Sequence, residues 1–339
     1  MDSTPLIEVE NLKMHFSMKG GAFSRRTGLI KAVDDINFKI YPNETFGLVG
    51  ESGCGKTTVG RAILKAIEPT SGKVIFHSKS GEKIDLVPMS NKELRPYRQE
   101  VQMIFQDPYS SLSPRMTVQE ILEEPLRLAG IKDKTYLYEQ AKEMIEQVGL
   151  RSSHLMRYPH AFSGGQRQRI GIARSLITRP RFIVADEAVS ALDVSVQAQI
   201  LEILGNLKDK FNLSYLFISH DLSVVKYLCD RVGVMYLGRI VEVSPTAELY
   251  QRPLHPYTEA LLHAIPDINE RGIRTDILGG EIPDAANPPS GCTFHNRCKY
   301  AKDKCKSDVP ELRELSFLHE GKEILRQSAC HFVEDIYQQ

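Results

Sequence analysis

The feature that most restricts how this chain can fold is one eight-residue run early in the sequence. Residues 50–57 read GESGCGKT and follow a short apolar run, TFGLV, at 45–49. The glycines allow successive backbone N–H groups to point into one concavity, and the helix that follows adds its positive N-terminal end. The run therefore predicts a strand, a phosphate-binding loop and a helix, in that order.

The charged and hydroxyl residues of this run suit contact with a nucleoside triphosphate. Lys56 is placed to reach the β- and γ-phosphates, and the Thr57 hydroxyl is placed to bind Mg²⁺. Such a motif also arises by chance, but here an apolar strand precedes it and a helix follows it. The predicted ATP-binding residues of the loop are Gly50, Glu51, Ser52, Gly53, Cys54, Gly55, Lys56, Thr57 and Thr58.

A second motif supplies the carboxylates that ATP hydrolysis needs. Residues 182–187 read FIVADE, so four apolar residues lead into two acids at the end of a predicted strand. Asp186 is placed to hold Mg²⁺, directly or through water, and Glu187 is then free to orient and deprotonate the attacking water. Alone, the pair would be two solvated acids at a strand end. Together with the phosphate loop, it predicts an ATPase.

A third motif offers a second anion-binding helix start. Residues 162–166 read FSGGQ, in which Ser163 is predicted to cap a helix and two glycines leave backbone N–H groups open. One nucleotide does not need two such loops. The economical interpretation is that two protomers face each other and each offers this helix start to the other's γ-phosphate. The alternative is a plain capped helix whose glycines only make a turn.

Strand and helix patterns alternate along the chain and favour an α/β fold with a parallel sheet. Strands are predicted at 45–49, 181–185, 214–219 and 231–237, and helices at 117–129, 134–148, 164–177, 194–210 and 221–229. The stretch of about 107–178 is interpreted as a helical insertion.

Composition excludes several classes of protein. The 339 residues are 42% apolar and 25% charged, which is ordinary for a globular protein and excludes disorder as the main state. The 43 basic residues balance 43 acidic ones, so no nucleic acid partner is expected. No run approaches the length of a membrane-spanning helix, and the N-terminus lacks the pattern of an export signal, so we expect a cytosolic chain.

Taken together, the three motifs resemble those of the nucleotide-binding subunit of an ABC transporter. The resemblance covers about residues 6–265 and implies a P-loop NTPase cassette with a RecA-like parallel sheet core, an antiparallel β part and a helical subdomain. We expect this domain at 1–265, with its helical subdomain at about 107–178. A small cysteine-containing C-terminal extension is expected at 266–339.

The resemblance also implies roles for residues outside the three motifs. Gln106 resembles the glutamine that reaches Mg²⁺ or the attacking water, His220 the histidine that contacts the γ-phosphate, and Phe16 the aromatic residue that stacks on adenine. Residues 190–193 resemble a loop at the dimer seam. The implied catalytic residues are Glu187, His220 and Gln106, the implied Mg²⁺ ligands are Thr57, Gln106 and Asp186, and the residues contributed in trans are Ser163, Gly164, Gly165, Gln166 and Asp193.

Longer stretches resemble a narrower group, the ATPases of oligopeptide, dipeptide and nickel importers, and within it the F-type chain. These stretches are 105–116, 158–170, 191–199 and 254–262. The resemblance implies ATP hydrolysis that powers peptide import from the cytoplasmic face of the membrane. The implied partners are a D-type ATPase paralogue in a heterodimer, two permease subunits and an extracytoplasmic peptide-binding protein. A nickel, sugar or other solute importer, and a soluble ABC ATPase, remain alternatives.

Four of the six cysteines lie in the tail, at Cys292, Cys298, Cys305 and Cys330. Their spacing lacks the close pairs typical of structural zinc, whereas an Fe–S cluster accepts looser spacing. Basic residues outnumber acidic ones in this stretch, which would stabilise thiolates. The resemblance to peptide-importer ATPases implies a [4Fe–4S] cluster on these four residues. Zinc, reduced thiols or a disulfide remain alternatives, with His295 and His331 as substitute ligands.

Overall fold

Strands and helices alternate through the middle of the chain. The computed structural model describes residues 4–18, 28–79, 81–264, 283–319 and 321–337. The strands are β1 (Ile7–Met18), β2 (Gly28–Ile40), β3 (Thr45–Val49), β4 (Ser71–His77), β5 (Lys83–Asp85), β6 (Val101–Ile104), β7 (Phe182–Asp186), β8 (Ser214–Ile218), β9 (Arg231–Tyr236), β10 (Arg239–Pro245), β11 (Arg313–His319) and β12 (Lys322–Ser328).

The five predicted helical stretches are present as the third to seventh helices, with each end within one residue of its prediction, and the helix predicted after the phosphate loop is the first; the second and the last four were not predicted. The helices are α1 (Lys56–Ile63), α2 (Asn91–Leu94), α3 (Val118–Leu128), α4 (Lys134–Gln147), α5 (Gly164–Leu176), α6 (Val194–Phe211), α7 (Leu222–Leu228), α8 (Thr246–Gln251), α9 (Pro256–His263), α10 (Asp303–Ser307) and α11 (Val333–Tyr337). Among the described residues, no helix combines the length and apolar character that crossing a bilayer requires.

The chain divides into two compact units, each assembled from separate stretches of sequence. The first unit takes its described residues from Met1–Ile7, Ile40–Thr45 and Phe76–Ser219. The second takes them from Glu8–Lys39, Phe46–Ile75 and His220–Gln339. The predicted boundary between residues 265 and 266 lies outside the described residues, so the division into 1–265 and 266–339 stays a prediction.

The first unit contains three adjacent parallel strands. β6 pairs with β7 in the register Val101↔Phe182, and β7 pairs with β8 in the register Phe182↔Ser214. Every residue of β7 and β8 is buried, as expected of parallel strands covered on both faces. Because parallel strands end at one edge, the residues that follow β6 and β7 lie close together.

Three helices of the first unit, α3, α4 and α5, pack against one another within the stretch predicted to be helical. Each begins at a side-chain cap. Thr117 and Glu120 form a capping box at α3, and the Asp133 carboxylate accepts from two N–H groups at the start of α4. Such caps satisfy helix N–H groups that otherwise lack partners. α3 then buries an apolar face that includes Ile121 and Leu122.

The second unit is built on strands in the order β11, β12, β10, β9 and β3. β3 pairs with β9 in parallel, whereas β10 pairs with both β9 and β12 in antiparallel fashion. In the same unit, β2, β1 and β4 are hydrogen-bonded in that order. In the C-terminal extension expected at 266–339, the hairpin of β11 and β12 continues the same sheet as β10.

A buried ion pair holds the tail hairpin against the rest of the second unit. The guanidinium of Arg326 lies 3.0 Å from the carboxylate of Glu242, and the two side chains are 1% and 0% exposed. The same carboxylate accepts hydrogen bonds from the N–H groups of Leu254 and His255, each at 2.9 Å. The pairing and these hydrogen bonds offset part of the cost of burying two charges, and burial still raises the pKa of Glu242.

Candidate nucleotide site

The phosphate loop, residues 50–57, lies between β3 and α1 in the second unit, as predicted. Two of its glycines are required by close backbone contacts. A Cβ atom on Gly50 would lie 2.1 Å from the carbonyl oxygen of Met235, and a Cβ on Gly55 would lie 2.1 Å from that of Ala32. Gly55 also has φ of 109°, a conformation that glycine adopts without strain. The packing of the second unit therefore requires glycine at positions 50 and 55 of the loop.

Lys56 begins α1 and is nearly enclosed by the loop. Its side chain is buried, and Nζ donates hydrogen bonds to the carbonyl oxygens of Gly50 at 2.8 Å and Glu51 at 3.0 Å. The Cys54 thiol is also buried, and burial raises its pKa. Cys54 is thus a neutral packing group. The loop combines a fixed ammonium with the positive end of α1, an arrangement that suits an anion.

The remaining predicted residues of the loop lie on its open side. Ser52 and Gly53 are exposed, and Thr57 and Thr58 are half-buried in the first turn of α1. Open backbone at Ser52 and Gly53 permits a ligand to approach the loop closely. The structure therefore brings the whole predicted run of Gly50 to Thr58 together around one concavity.

Gln106, Asp186 and Glu187 meet at the strand ends of the first unit. Asp186 is the last residue of β7 and is 2% exposed. Gln106 follows β6, and its Nε2 donates to Oε2 of Glu187 at 2.8 Å. The sequence predicted these residues to act together, and the parallel register of β6 and β7 explains why they meet.

The backbone of Glu187 adopts a conformation that no local sequence pattern predicts. Its φ is +46°, in the left-handed region, which costs a non-glycine residue about 1–2 kcal/mol. The Glu187 N–H donates to the carbonyl of Ile218 at 3.0 Å, and its carbonyl accepts from the Ser190 hydroxyl at 3.0 Å. These bonds hold the turn that presents the Glu187 side chain to Gln106.

The FSGGQ segment starts α5 in the first unit, and its cap is a capping box. The Ser163 N–H donates to Oε1 of Gln166 at 3.1 Å, and the Gln166 N–H donates to the Ser163 hydroxyl oxygen at 3.4 Å. Ser163 is exposed, and Gly164 and Gly165 are half-buried. The side chains of Ser163 and Gln166 thus both serve their own helix start. A Cβ on Gly164 would meet only ordinary contacts, whereas a Cβ on Gly165 would lie 2.5 Å from Cγ1 of Val196.

Two residues beside this segment were missed by the sequence analysis. The guanidinium of Arg167 lies 4.1 Å from the centroid of the Tyr109 ring, and its Nε donates to the carbonyl oxygen of Phe162 at 3.0 Å. Tyr109 belongs to the stretch that follows Gln106. Arg167 therefore ties the start of α5 to that stretch through a cation–π contact.

The other predicted site residues are divided between the units. Asp193 precedes α6 in the first unit and is exposed. His220 follows β8 in the sequence, belongs to the second unit and is exposed. Phe16 lies on β1 and is 41% exposed, so its ring is accessible for stacking. The roles of these residues remain predictions.

The four tail cysteines line one small cavity, together with Phe294, Tyr300 and Phe332. Burial raises the pKa of Cys292 to about 12 and that of Cys330 to about 11, and neighbouring cysteines add to both shifts. Among the described residues, no three His, Cys, Asp or Glu side chains converge closely enough to hold a metal ion. The iron–sulfur prediction therefore gains no support from metal-site geometry.

Basic residues were expected to stabilise thiolates in the tail. Lys299 does lower the pKa of Cys298, but burial raises it by more. Lys299 and Lys306 also pair with carboxylates, Lys299 with Glu259 at 2.7 Å and Lys306 with Asp303 at 2.9 Å. Burial then dominates the environment of the thiols and favours their neutral form.

Comparison with known families and proteins agrees with the motifs. The sequence matches the ABC transporter family over residues 33–190 and the C-terminal region of oligopeptide/dipeptide transporters over residues 241–305. The chain is 47% identical to the oligopeptide transport ATP-binding protein AppF of Bacillus subtilis over 318 residues, which cover 93% of this chain and 95% of that protein. It is 51% identical to a putative peptide import ATP-binding protein of Brucella ovis over 317 residues, or 93% and 96% of the two chains.

Solved structures show the same fold. A dimeric bacterial ABC transporter cassette matches with a TM-score of 0.62 and 26% identity, over 71% of this chain and 98% of that one. The protein cbiO1 of Clostridium perfringens, part of the ABC transporter complex cbiONQ, matches with a TM-score of 0.61 and 23% identity, over 73% and 91% of the two chains. The first of these is itself described as a dimer.

Proposed function

The chain belongs to the family of ATP-binding subunits of ABC transporters, and on that basis we propose that it hydrolyses ATP to power peptide import through a membrane permease. One observation carries the proposal. A single chain matches both the ABC transporter family and the C-terminal region of oligopeptide/dipeptide transporters, and its relatives along nearly its full length are named for peptide import.

The residues of the phosphate loop bind the nucleotide in this proposal. The loop N–H groups and the Lys56 ammonium hold the β- and γ-phosphates, and Phe16 stacks on adenine. The donor set of a Thr57 hydroxyl and a buried Asp186 carboxylate suits Mg²⁺, which prefers oxygen ligands. Bound Mg²⁺ would neutralise charge on the phosphates.

Glu187 is the general base for the attacking water. The Gln106 amide holds the Glu187 carboxylate at 2.8 Å, so the base is oriented before the reaction. His220 contacts the γ-phosphate and helps to orient the nucleophile. Proton transfer by a positioned base contributes about 10²–10⁴ to the rate, so Glu187 carries a large part of the catalysis.

A second ATPase subunit completes each site by offering its Ser163, Gly164 and Gly165. The exposure of Ser163 and the dimeric state of a related cassette support this arrangement. We propose that the second subunit is a D-type paralogue, with Asp193 at the seam. The pair binds two permease subunits at the cytoplasmic face of the membrane, and an extracytoplasmic peptide-binding protein delivers the substrate.

The test is purification of the chain from solubilised membranes, followed by ATPase assay of the assembled complex. We expect the permeases and the paralogue to copurify, and peptide to stimulate Mg²⁺-dependent phosphate release. Copurification with ribosomes or DNA would favour a soluble ATPase instead. If nickel or sugar, but not peptide, stimulates phosphate release, the chain serves an importer of that solute instead.

The [4Fe–4S] cluster stays a prediction from the sequence. The four cysteines line one cavity, and the thiolates of a cluster bind different iron atoms, so they need not converge on one point as the ligands of a single ion do. Iron analysis of an anaerobic preparation decides the matter. A colourless, iron-free protein after attempted reconstitution would remove the cluster.

A further inference from the structure

The tail contacts the phosphate loop directly, through a residue that the motifs do not single out. Arg297 ends a short 3₁₀ helix, His295–Arg297, next to Cys298. Its Nη1 and Nη2 donate to the two carboxylate oxygens of Glu51 at 2.8 and 2.9 Å. Glu51 is the second residue of the loop. The two residues therefore form a bidentate guanidinium–carboxylate ion pair, although they are 246 residues apart in the sequence.

The pair is largely withdrawn from solvent. The side chain of Arg297 is 4% exposed and that of Glu51 is 20% exposed. Arg297 also donates to the Tyr236 hydroxyl at 3.4 Å, and hydrogen bonding to Glu51 raises the pKa of the guanidinium, which stays charged. A bidentate ion pair with little solvent around it is both stronger and more directional than a surface salt bridge.

A second contact holds the backbone of the same loop residue. The Glu51 N–H donates to the Tyr257 hydroxyl oxygen at 2.9 Å. The Tyr257 ring packs 4.6 Å from the ring of Tyr236 and 5.4 Å from that of Phe294, measured between centroids. Phe294 belongs to the tail and is buried. Both the side chain and the backbone of Glu51 thus depend on groups packed against the tail.

The charge of Glu51 makes the pair relevant to phosphate binding. The carbonyl of Glu51 accepts from Lys56 Nζ at 3.0 Å, so the residue is directly bonded to the phosphate-binding lysine. A carboxylate at this point repels an approaching polyphosphate. The guanidinium of Arg297 cancels that charge and directs the carboxylate toward the tail.

We propose that Arg297 is a positioning residue for nucleotide binding, through which the cysteine-bearing tail holds the phosphate loop in its binding shape and neutralises Glu51. This inference rests on the proposed ATPase function. It assigns the tail a role within the nucleotide site, in addition to any group that its cysteines bind.

The experiment is a titration of the full chain with Mg·ATP by calorimetry, in a Glu187→Gln background that prevents hydrolysis. Arg297→Gln is expected to weaken binding about tenfold, or about 1.4 kcal/mol. Arg297→Lys keeps the charge but cannot donate two parallel hydrogen bonds to one carboxylate. Its affinity for Mg·ATP should therefore lie between those of the parent and Arg297→Gln. The double variant Arg297→Gln/Glu51→Gln should recover most of the loss, because it removes the unpaired carboxylate.

Lys299→Gln is the matched control. It removes a tail cation two residues away, whose partner Glu259 lies outside the phosphate loop, and Mg·ATP binding should stay within twofold of the parent. Thermal unfolding without nucleotide shows whether each variant is folded. If Arg297→Gln does not fold, Arg297→Lys decides the question.

Two results would overturn the inference. One is Mg·ATP binding by Arg297→Gln and Arg297→Lys within twofold of the parent. The other is a loss in Arg297→Gln that adding Glu51→Gln does not relieve, which would show that the loss does not come from an unpaired carboxylate at Glu51. Failure of the parent chain itself to bind Mg·ATP would instead reject the proposed ATPase function.

Discussion

The phosphate loop and the start of α5 are both glycine-rich anion sites by sequence, but their surroundings differ. A Cβ on Gly50 would lie 2.1 Å from a backbone carbonyl oxygen, whereas a Cβ on Gly164 would meet only ordinary contacts, the nearest at 3.7 Å. Lys56 is buried and Ser163 is exposed. The fold of this chain requires glycine at 50 but not at 164. Gly165 is packed more tightly, since a Cβ there would lie 2.5 Å from Cγ1 of Val196. The free space at Gly164 is consistent with the proposed contact of a second subunit at this position.

The largest expected effect comes from Glu187→Gln. It removes the base while keeping a side chain that can bond to Gln106, so turnover should fall by about 10²–10⁴-fold while ATP binding persists. The trapped complex should be dimeric by size-exclusion chromatography with Mg·ATP, and Ser163 should become protected in it. Phosphate release at the parent rate would show that Glu187 is not the base.

Lys56→Ala distinguishes the phosphate loop from the start of α5, because we expect only the loop to bind nucleotide in a single chain. Nucleotide binding by the single chain should weaken by about 10- to 100-fold, since hydrogen bonds to charged groups contribute about 1.5–3 kcal/mol. Ser163→Ala should lower turnover of the assembled pair but leave binding to one chain intact. Thr117→Ala, which removes the cap of α3, controls for the loss of a helix cap. Equal losses of nucleotide binding by the single chain in Lys56→Ala and Ser163→Ala would show that the phosphate loop and the start of α5 do not differ in this respect.

Alanine at the two glycines tests the packing argument itself. Gly50→Ala should lower the free energy of unfolding by about 1–3 kcal/mol, because the added methyl group overlaps the Met235 carbonyl. Gly164→Ala should leave stability unchanged or raise it by about 0.5–1 kcal/mol, since alanine favours a helix. Urea unfolding measures both. Equal destabilisation by the two substitutions would mean that this chain's own packing requires glycine at position 164 as well.

Acid should destabilise the packing around Tyr257, which supports the phosphate loop. For each unit of pH this is the smallest of the expected effects. His255 is buried, its Nδ1 accepts from the Tyr257 N–H at 3.1 Å, and burial lowers its pKa to about 3. The unfolded chain then binds a proton that the folded chain excludes. Stability should therefore fall as pH falls from about 6.5 toward 3, by about 1 kcal/mol per pH unit.

The variant His255→Gln should flatten this dependence, while His263→Gln, which replaces an exposed histidine, should not. Urea midpoints at pH 7, 6 and 5 provide the measurement. Parallel slopes in the parent and His255→Gln would show that His255 does not couple protons to folding.

The parts of the site that were predictable from the sequence are those encoded by short, local motifs. The phosphate loop, the acidic end of β7 and the capped start of α5 each depend on neighbours within a few residues. The left-handed turn at Glu187 was not predictable, because it is held by a bond to Ile218 on another strand. The contact of Arg297 with Glu51 was missed for the same reason, since neither residue signals the other across the intervening chain.

The tail shows the same limit for the fold. Alternating patterns predicted most helices of the α/β core, because burial periodicity is a local property. The pairing of β12 with β10 depends on Glu242 and Arg326, two charged residues whose sequence contexts suggest solvent exposure. The charges of the cysteine segment were also misleading, because burial of the thiols, which depends on the folded tail, outweighs them.

The buried pair of Glu242 and Arg326 has a consequence for the order of events during synthesis. The two residues are 84 positions apart, and at about 5–20 residues per second the ribosome makes the carboxylate roughly 4–17 seconds before its guanidinium. Until then the buried carboxyl group of Glu242 lacks its ion-pair partner, which makes burial of this side chain less favourable. Nascent chains should therefore keep this edge of the sheet open until the tail hairpin is complete.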